Sequence, residues 1–147
     1  MSILETMPPS AISDAEWEVM RIVWAHQGAF GRYIINGLQE KLSWNESTAK
    51  TLIRRLVEKG YLQAVKENGL NFYQPTVTEE SCNLVAADKL FDRICTMKTG
   101  DFLGKLLDRY ELSVGDIESL TAILQAKQGV EELHCQCTPC QCEHHRK

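Results

Sequence analysis

The chain has 147 residues, 44% of them apolar and 24% charged, with a formal net charge of −4. That length suits one compact unit or a small domain with an appendage, and the composition excludes a chain disordered throughout. No apolar run approaches the ~18 residues of a membrane helix, and Met1–Ser10 shows no basic segment followed by an apolar one. A cytoplasmic protein without membrane span or secretory signal is therefore expected.

After an N-terminal lead over 1–12, Ser13-Asp-Ala-Glu16 is a capping-box pattern, with Ser13 as N-cap and Glu16 three residues on. Trp17, Met20, Val23 and Trp24 then recur at helical spacing until Gly28. A second helix is expected over about 32–42, with Ile34, Ile35, Leu38 and Leu42 on one face. Asn45 serves as N-cap of a third helix that stops where Gly60 supplies the residue after the C-cap. Tyr61–Lys66 and Leu70–Gln74 are short strands around Asn68-Gly69, a strong hairpin signal. Three helices followed by a β-hairpin are the order of a winged helix-turn-helix, here over 13–76.

Residues 77–128 read as helices only. Leu84, Phe91, Ile94 and Met97 mark one run, and Phe102, Leu103, Leu106, Leu107 and Tyr110 another. Ser113 and Asp116 introduce a last helix with Ile117, Leu120, Ile123 and Leu124. So few short helices have little core of their own and need the first domain or a second copy to pack on. A homodimerisation region is the favoured reading, because DNA half-sites suit a two-fold protein; completion of one monomeric core is the alternative. The architecture expected is thus mainly α: a winged helix, a C-terminal helical dimerisation region, and a Cys-rich metal-binding tail over 129–147.

Residues 1–75 carry eight Lys/Arg and eight Asp/Glu, and residues 76–147 carry eight against twelve. An acidic chain is a poor non-specific polyanion binder, so contact with nucleic acid needs locally concentrated positive charge. The third helix provides it: Lys50, Arg54, Arg55 and Lys59 against Glu46 and Glu58. At 100° per residue, Ala49, Leu52, Ile53, Leu56 and Val57 gather on one side, with Ser47, Lys50, Thr51, Arg54 and Glu58 opposite and Thr48 and Arg55 flanking. Ser47, Thr48, Lys50, Thr51 and Arg54 lie in the turns that reach base edges, while Arg55 and Lys59 fall later and suit phosphates.

Six cysteines complete the inventory. Cys82 and Cys95 stand apart and are expected to pack as small hydrophobes on helices. Cys135, Cys137, Cys140 and Cys142 crowd into eight residues of tail. In a reducing compartment such clustering points to metal or redox chemistry rather than disulfides. Thiolates select Cu(I), zinc or iron–sulfur clusters over magnesium or calcium, and four of them suit one tetrahedral zinc or a compact Cu(I) cluster. Cys137 and Cys140 also have redox-pair spacing, but the βαβ context of a thioredoxin-like motif is missing. His134, His144 and His145 flank the cluster and are read as solvent-exposed rather than as ligands. An enzyme is not expected, since no His–carboxylate constellation or phosphate-cradling glycine loop appears.

The run Ile12-Ser-Asp-Ala-Glu-Trp-Glu-Val-Met-Arg-Ile-Val-Trp24 resembles the first helix of the penicillinase-repressor (BlaI/MecI) family. Thr48-Ala-Lys-Thr-Leu-Ile-Arg-Arg-Leu56, with Glu58-Lys-Gly-Tyr-Leu62, resembles that family's recognition helix and the start of its wing. The resemblance implies a dimeric winged-helix repressor on an inverted-repeat operator. With its paired Cys-x-Cys tail the chain is similar to the family's CopY-type copper-responsive branch. That likeness implies a zinc-loaded repressor of copper-export genes, released by Cu(I) from a small copper chaperone, with ligands at Cys135, Cys137, Cys140 and Cys142. The branch usually separates its pairs by four residues; here only Thr138 and Pro139 intervene, which puts the metal count in doubt. Repression relieved by proteolysis, or metal buffering without an operator, are the competing readings.

Overall fold

A computed structural model describes residues 11–139, 141 and 142. Helix α1 spans Asp14–Ala25. The expected capping box opens it: Ser13 Oγ accepts from the Glu16 N–H at 3.1 Å, and Glu16 Oε1 accepts from the Ser13 N–H at 3.0 Å. Helix α2 spans Gly31–Leu42, and α3 spans Glu46–Lys59. Asn45 caps α3 through its side chain, which accepts from the Thr48 N–H at 2.8 Å. Gly60, left-handed at φ 88°, ends it.

The wing is β2, Leu62–Glu67, and β3, Leu70–Pro75, paired antiparallel from Glu67↔Leu70 to Leu62↔Pro75. Asn68 and Gly69 both have positive φ, 53° and 79°, as a two-residue type I′ turn requires. A third strand, β1 at Ala29–Phe30, pairs with the other edge of β3 through Ala29↔Tyr73 and Phe30↔Phe72. Two residues are too few for any alternation to announce a strand. Gly28 makes this pairing possible: its φ is 117°, and a Cβ there would lie 2.6 Å from the Phe72 ring.

Val19, Met20 and Val23 of α1, Ile34, Ile35 and Leu38 of α2, and Ala49, Leu52, Ile53 and Leu56 of α3 share one buried core with Leu62 and Cys82. The faces assigned from periodicity are the ones buried, except at their ends. Leu42 is exposed, and Val57, Trp17 and Trp24 are only half-buried. Thus α3 is fixed by its apolar side and offers its polar side to solvent.

Helix α4 spans Glu79–Phe91, a 3₁₀ turn follows at Thr96–Lys98, then α5 at Thr99–Arg109 and α6 at Val114–Ala126. The apolar run read from Leu84 to Met97 is therefore not one helix. It stops at Phe91, leaving Ile94 and Cys95 in a connection. The second capping box holds, with Ser113 Oγ accepting from the Asp116 N–H and Asp116 Oδ2 from the Ser113 N–H, both at 3.0 Å. The chain divides into two compact units within α4, after Ala86. In the second unit α5 and α6 bury no residue fully, and Leu103, Leu107, Val114, Ile117, Ile123 and Leu124 all stand exposed. Among the described residues no helix is long and apolar enough to cross a membrane.

Candidate DNA-reading face and thiol cluster

On α3, Ser47, Thr48, Lys50, Arg54 and Arg55 are exposed and Thr51 is half-buried. Glu46, Ser47, Lys50, Thr51 and Arg54 line one open groove, and Lys50 and Arg54 also border a second, between α3, the start of α2 and the wing. The acidic residue of the first turn is already engaged: Glu46 Oε1 accepts from Lys50 Nζ and Arg32 Nη2, each at 3.0 Å. These two cations hold the Glu46 carboxyl below the usual carboxylate range. Arg32, at the start of α2, thus joins the basic surface, a contribution the α3 periodicity alone could not reveal. Thr51 Oγ1 donates to the Ser47 carbonyl at 2.9 Å, which fixes its hydroxyl along the helix.

Lys59 is elsewhere engaged, which corrects its reading as a phosphate contact. Its Nζ donates to Glu16 Oε1 at 2.6 Å and to the Ala11 carbonyl at 3.0 Å. Glu16 is 2% exposed in its side chain and Lys59 27%, so this is an ion pair rooted in the fold rather than a surface cation. Burial alone would raise the Glu16 carboxyl; hydrogen bonds from Lys59 and Ser13, with the Lys59 charge, outweigh it and hold the group below its ordinary value.

The second constellation lies wholly in the second unit. The sulfurs of Cys95, Cys135, Cys137 and Cys142 all fall within 4.8 Å of one another. Cys135 Sγ is 3.4 Å from Cys95 Sγ and 3.3 Å from Cys142 Sγ, and it accepts from the Cys137 N–H at 3.4 Å. A turn folds the tail back on itself: the Gln141 N–H donates to the Thr138 carbonyl at 3.0 Å, and the Thr138 N–H donates to Gln141 Oε1 at 2.9 Å. That reversal returns Cys142 to Cys135. Cys140, His144 and His145 lie outside the described residues; His134 is exposed and not part of the cluster.

Sequence reading placed Cys95 among the small hydrophobes on helices. It is instead N-cap of the 3₁₀ turn, 7% exposed, with its sulfur in the cluster. Cys82 does pack as expected, 2% exposed in the core, where burial pushes its thiol up to about 11. In the cluster, hydrogen bonding with Cys135, burial and the other thiols push Cys137 up to about 12. For Cys135 the Cys137 N–H pulls downward, but burial and the thiols of Cys142 and Cys95 prevail and raise it.

Crowded thiols that hold their protons until a cation replaces them are a soft-metal donor set. A tetrahedral ion at ~2.3 Å from each sulfur sets the sulfurs ~3.8 Å apart. The closest pairs, at 3.3 and 3.4 Å, fall short of that by about half an ångström, so the residues fit such an ion with small side-chain adjustment.

A three-helix core, a β-hairpin wing and an exposed basic face on the third helix define a winged-helix DNA-binding protein, here extended by helices and a thiol cluster. Residues 12–126 match the penicillinase-repressor family, and the chain belongs to that family of transcriptional repressors, whose members are not enzymes. A 16.5 kDa protein of Latilactobacillus sakei, described only by its place in the ptsI 3′ region, is 43% identical over 90% of this chain and 93% of its own. The methicillin resistance regulatory protein MecI of Mammaliicoccus sciuri is 31% identical over 79% of this chain and 94% of its own. Among solved structures, monomeric Bacillus licheniformis BlaI in complex with the blaP half-operator is similar over 49% of this chain and 88% of its own, at 35% identity and TM-score 0.45.

Proposed function

We propose that this chain is a copper-responsive transcriptional repressor. As a zinc-loaded homodimer in the cytoplasm it holds an inverted-repeat operator of copper-homeostasis genes and lets go when Cu(I), delivered by a small copper chaperone, displaces the zinc. The observation that carries the reading is the gathering of Cys95, Cys135, Cys137 and Cys142 within 4.8 Å on a chain of the penicillinase-repressor family. The metal-binding tail is Cys135, Cys137 and Cys142 with Cys140, which lies outside the described residues.

On the DNA side, Ser47, Thr48, Lys50, Thr51 and Arg54 read base edges and Arg55 holds phosphate. Their exposure on the outer side of a helix anchored by Leu52, Ile53 and Leu56 supports this assignment. The dimer is supported by the exposed apolar side chains of α5 and α6, from Leu107 at 42% to Val114 at 75%. So many on two short helices fit a surface covered by a second copy. The linkage is thermodynamic: copper releases DNA only if it binds the DNA-free form more tightly, and ~150-fold corresponds to about 3 kcal/mol.

An anaerobic titration tests this. Zinc-loaded protein on DNA from upstream of its own gene receives Cu(I) stepwise, at one stated salt concentration, while bound DNA and released zinc are followed together. Coincident loss of both is expected, and a Cys140→Ser/Cys142→Ser variant should keep the operator yet ignore copper. Tight operator binding that copper never relieves in the unaltered protein would refute the copper reading and leave repression relieved by proteolysis. Metal binding without any operator would leave a metal buffer.

A further inference from the structure

From Ala87 onward Cys95 is, among the described residues, the single buried one. It sits where α4 has ended and the 3₁₀ turn begins, and its carbonyl accepts from the Lys98 N–H at 2.8 Å. On either side Phe91 and Phe102 meet edge to face, their centroids 5.6 Å apart, so the junction holding Cys95 is braced by packed rings. Among the described residues of the tail none is buried, and Val130 is 70% exposed and Leu133 44%. Its sulfurs nevertheless converge on this one point of the helical body, forty residues earlier in the chain.

We propose that Cys95 is a metal ligand, completing with Cys135, Cys137 and Cys142 the four-sulfur site that takes zinc. This rests on the metal-binding reading above and adds to the tail motif a sulfur from the helical body, Cys95. Three tail sulfurs and one from the body tie the tail to the α4–α5 junction. Metal occupancy is thereby transmitted to helices that carry the exposed apolar surface instead of staying local to the tail.

The surroundings suit such a centre. Four thiolates around a divalent ion leave two negative charges, and the groove beside the cluster is lined by Arg93 and Lys98 against a single carboxylate, Asp92. Thr96, Thr99, Gln136 and Gln141 add polar side chains to its lining. Nothing in the tail sequence marks Cys95 for this role, because the two-residue spacer between Cys137 and Cys140 already offers a four-sulfur motif.

The test uses the full reduced chain, stripped of metal, with Co(II) and then zinc added alone. Unaltered protein should show sulfur-to-cobalt charge-transfer absorption for four thiolates. Cys95→Ser should lose about a quarter of that intensity, while Cys140→Ser should lose none. Zinc affinity should fall at least ~10-fold in Cys95→Ser, the lower bound seen even for partners one shell out from a metal. Amide exchange across 91–99 should slow when zinc is added to the unaltered protein, a readout that needs no variant. An intact spectrum in Cys95→Ser with the loss appearing in Cys140→Ser overturns the proposal, as does exchange over 91–99 that ignores zinc. Unaltered protein that takes up neither cobalt nor zinc refutes the metal reading itself, so the two failures are distinct.

Discussion

Lys59→Met separates a cation that holds the fold from one that holds DNA. The substitution keeps an unbranched side chain, one atom shorter and uncharged, and leaves the Glu16 carboxylate, 2% exposed, without its 2.6 Å partner. Breaking a fully buried pair by removing one member costs ~3–5 kcal/mol. Lys59 is 27% exposed and water screens part of the interaction, so about 2–3 kcal/mol is expected here. Glu16→Gln should be milder, since an amide still accepts from Ser13 and the released ammonium can turn to water. Combining both changes should recover much of the loss, because no uncompensated charge is then buried. The pH dependence gives an independent sign. In the unaltered protein Glu16 is held below its ordinary 4.5, so its contribution is complete above that value and is lost as pH falls through the lower, folded value. In Lys59→Met the hydrogen bond and charge of Lys59 no longer lower the carboxyl, so the loss of stability on acidification should shrink. Urea denaturation between pH 3 and 7 measures both effects, and operator binding at several salt concentrations measures the rest. A variant of undiminished stability whose salt slope drops by about 1 would refute the assignment and return Lys59 to the phosphate contacts.

The DNA face should show the complementary behaviour. Arg54→Ala should cost about 1–3 kcal/mol of operator binding and relax preference at one base position, whereas Arg55→Ala should weaken all sequences alike and reduce the salt slope by about 1; a fluorescence titration over single-base operator variants distinguishes them. Gly28→Ala meets the Phe72 ring at 2.6 Å and forces φ 117° on a residue with a side chain, so about 1–3 kcal/mol of stability should be lost in chemical denaturation without change in the thiol cluster. Cys137 is pushed up to about 12 and Cys135 is also raised, so zinc binding at neutral pH must release protons and weaken steeply on acidification. Calorimetry in buffers of different ionisation enthalpy counts those protons, and none released would mean the thiols are not the ligands.

How far the sequence could be read depended on whether each feature was local. Ser13 with Glu16, Asn45, Gly60 and Asn68-Gly69 are short-range signals whose chemistry is complete within a few residues; the helix ends and the turn they mark are where the structure has them, while the first wing strand, expected at Tyr61–Lys66, is shifted by one residue to Leu62–Glu67. The basic face of α3 was equally legible, because a helix buried on Leu52, Ile53 and Leu56 must turn Lys50 and Arg54 outward. What was missed required a partner distant in sequence. Lys59 looked like a phosphate contact until Glu16, 43 residues earlier, was seen to take its charge. Strand β1 exists only because β3 offers it an edge at Phe72 and Tyr73.

Cys95 is the sharpest case, because two correct local rules pointed away from it. A lone buried cysteine most often packs as a small hydrophobe, and Cys82 obeys that rule in the core of the first unit. Four tail cysteines already satisfied the coordination number of zinc, so no fifth sulfur was needed. The helical run from Leu84 to Met97 also hid the break after Phe91 that turns Cys95 out of a helix and into a connection. What sets Cys95 apart from Cys82 is the convergence of tail sulfurs on it, with Cys135 Sγ at 3.4 Å, while a turn at Thr138–Gln141 returns Cys142 to the same place. A motif can state how many sulfurs are present, but which of them share an ion is decided by the path of the backbone. The comparison of Cys95→Ser with Cys140→Ser therefore asks whether a metal would be held by the tail alone or at the junction where the tail meets the helical body.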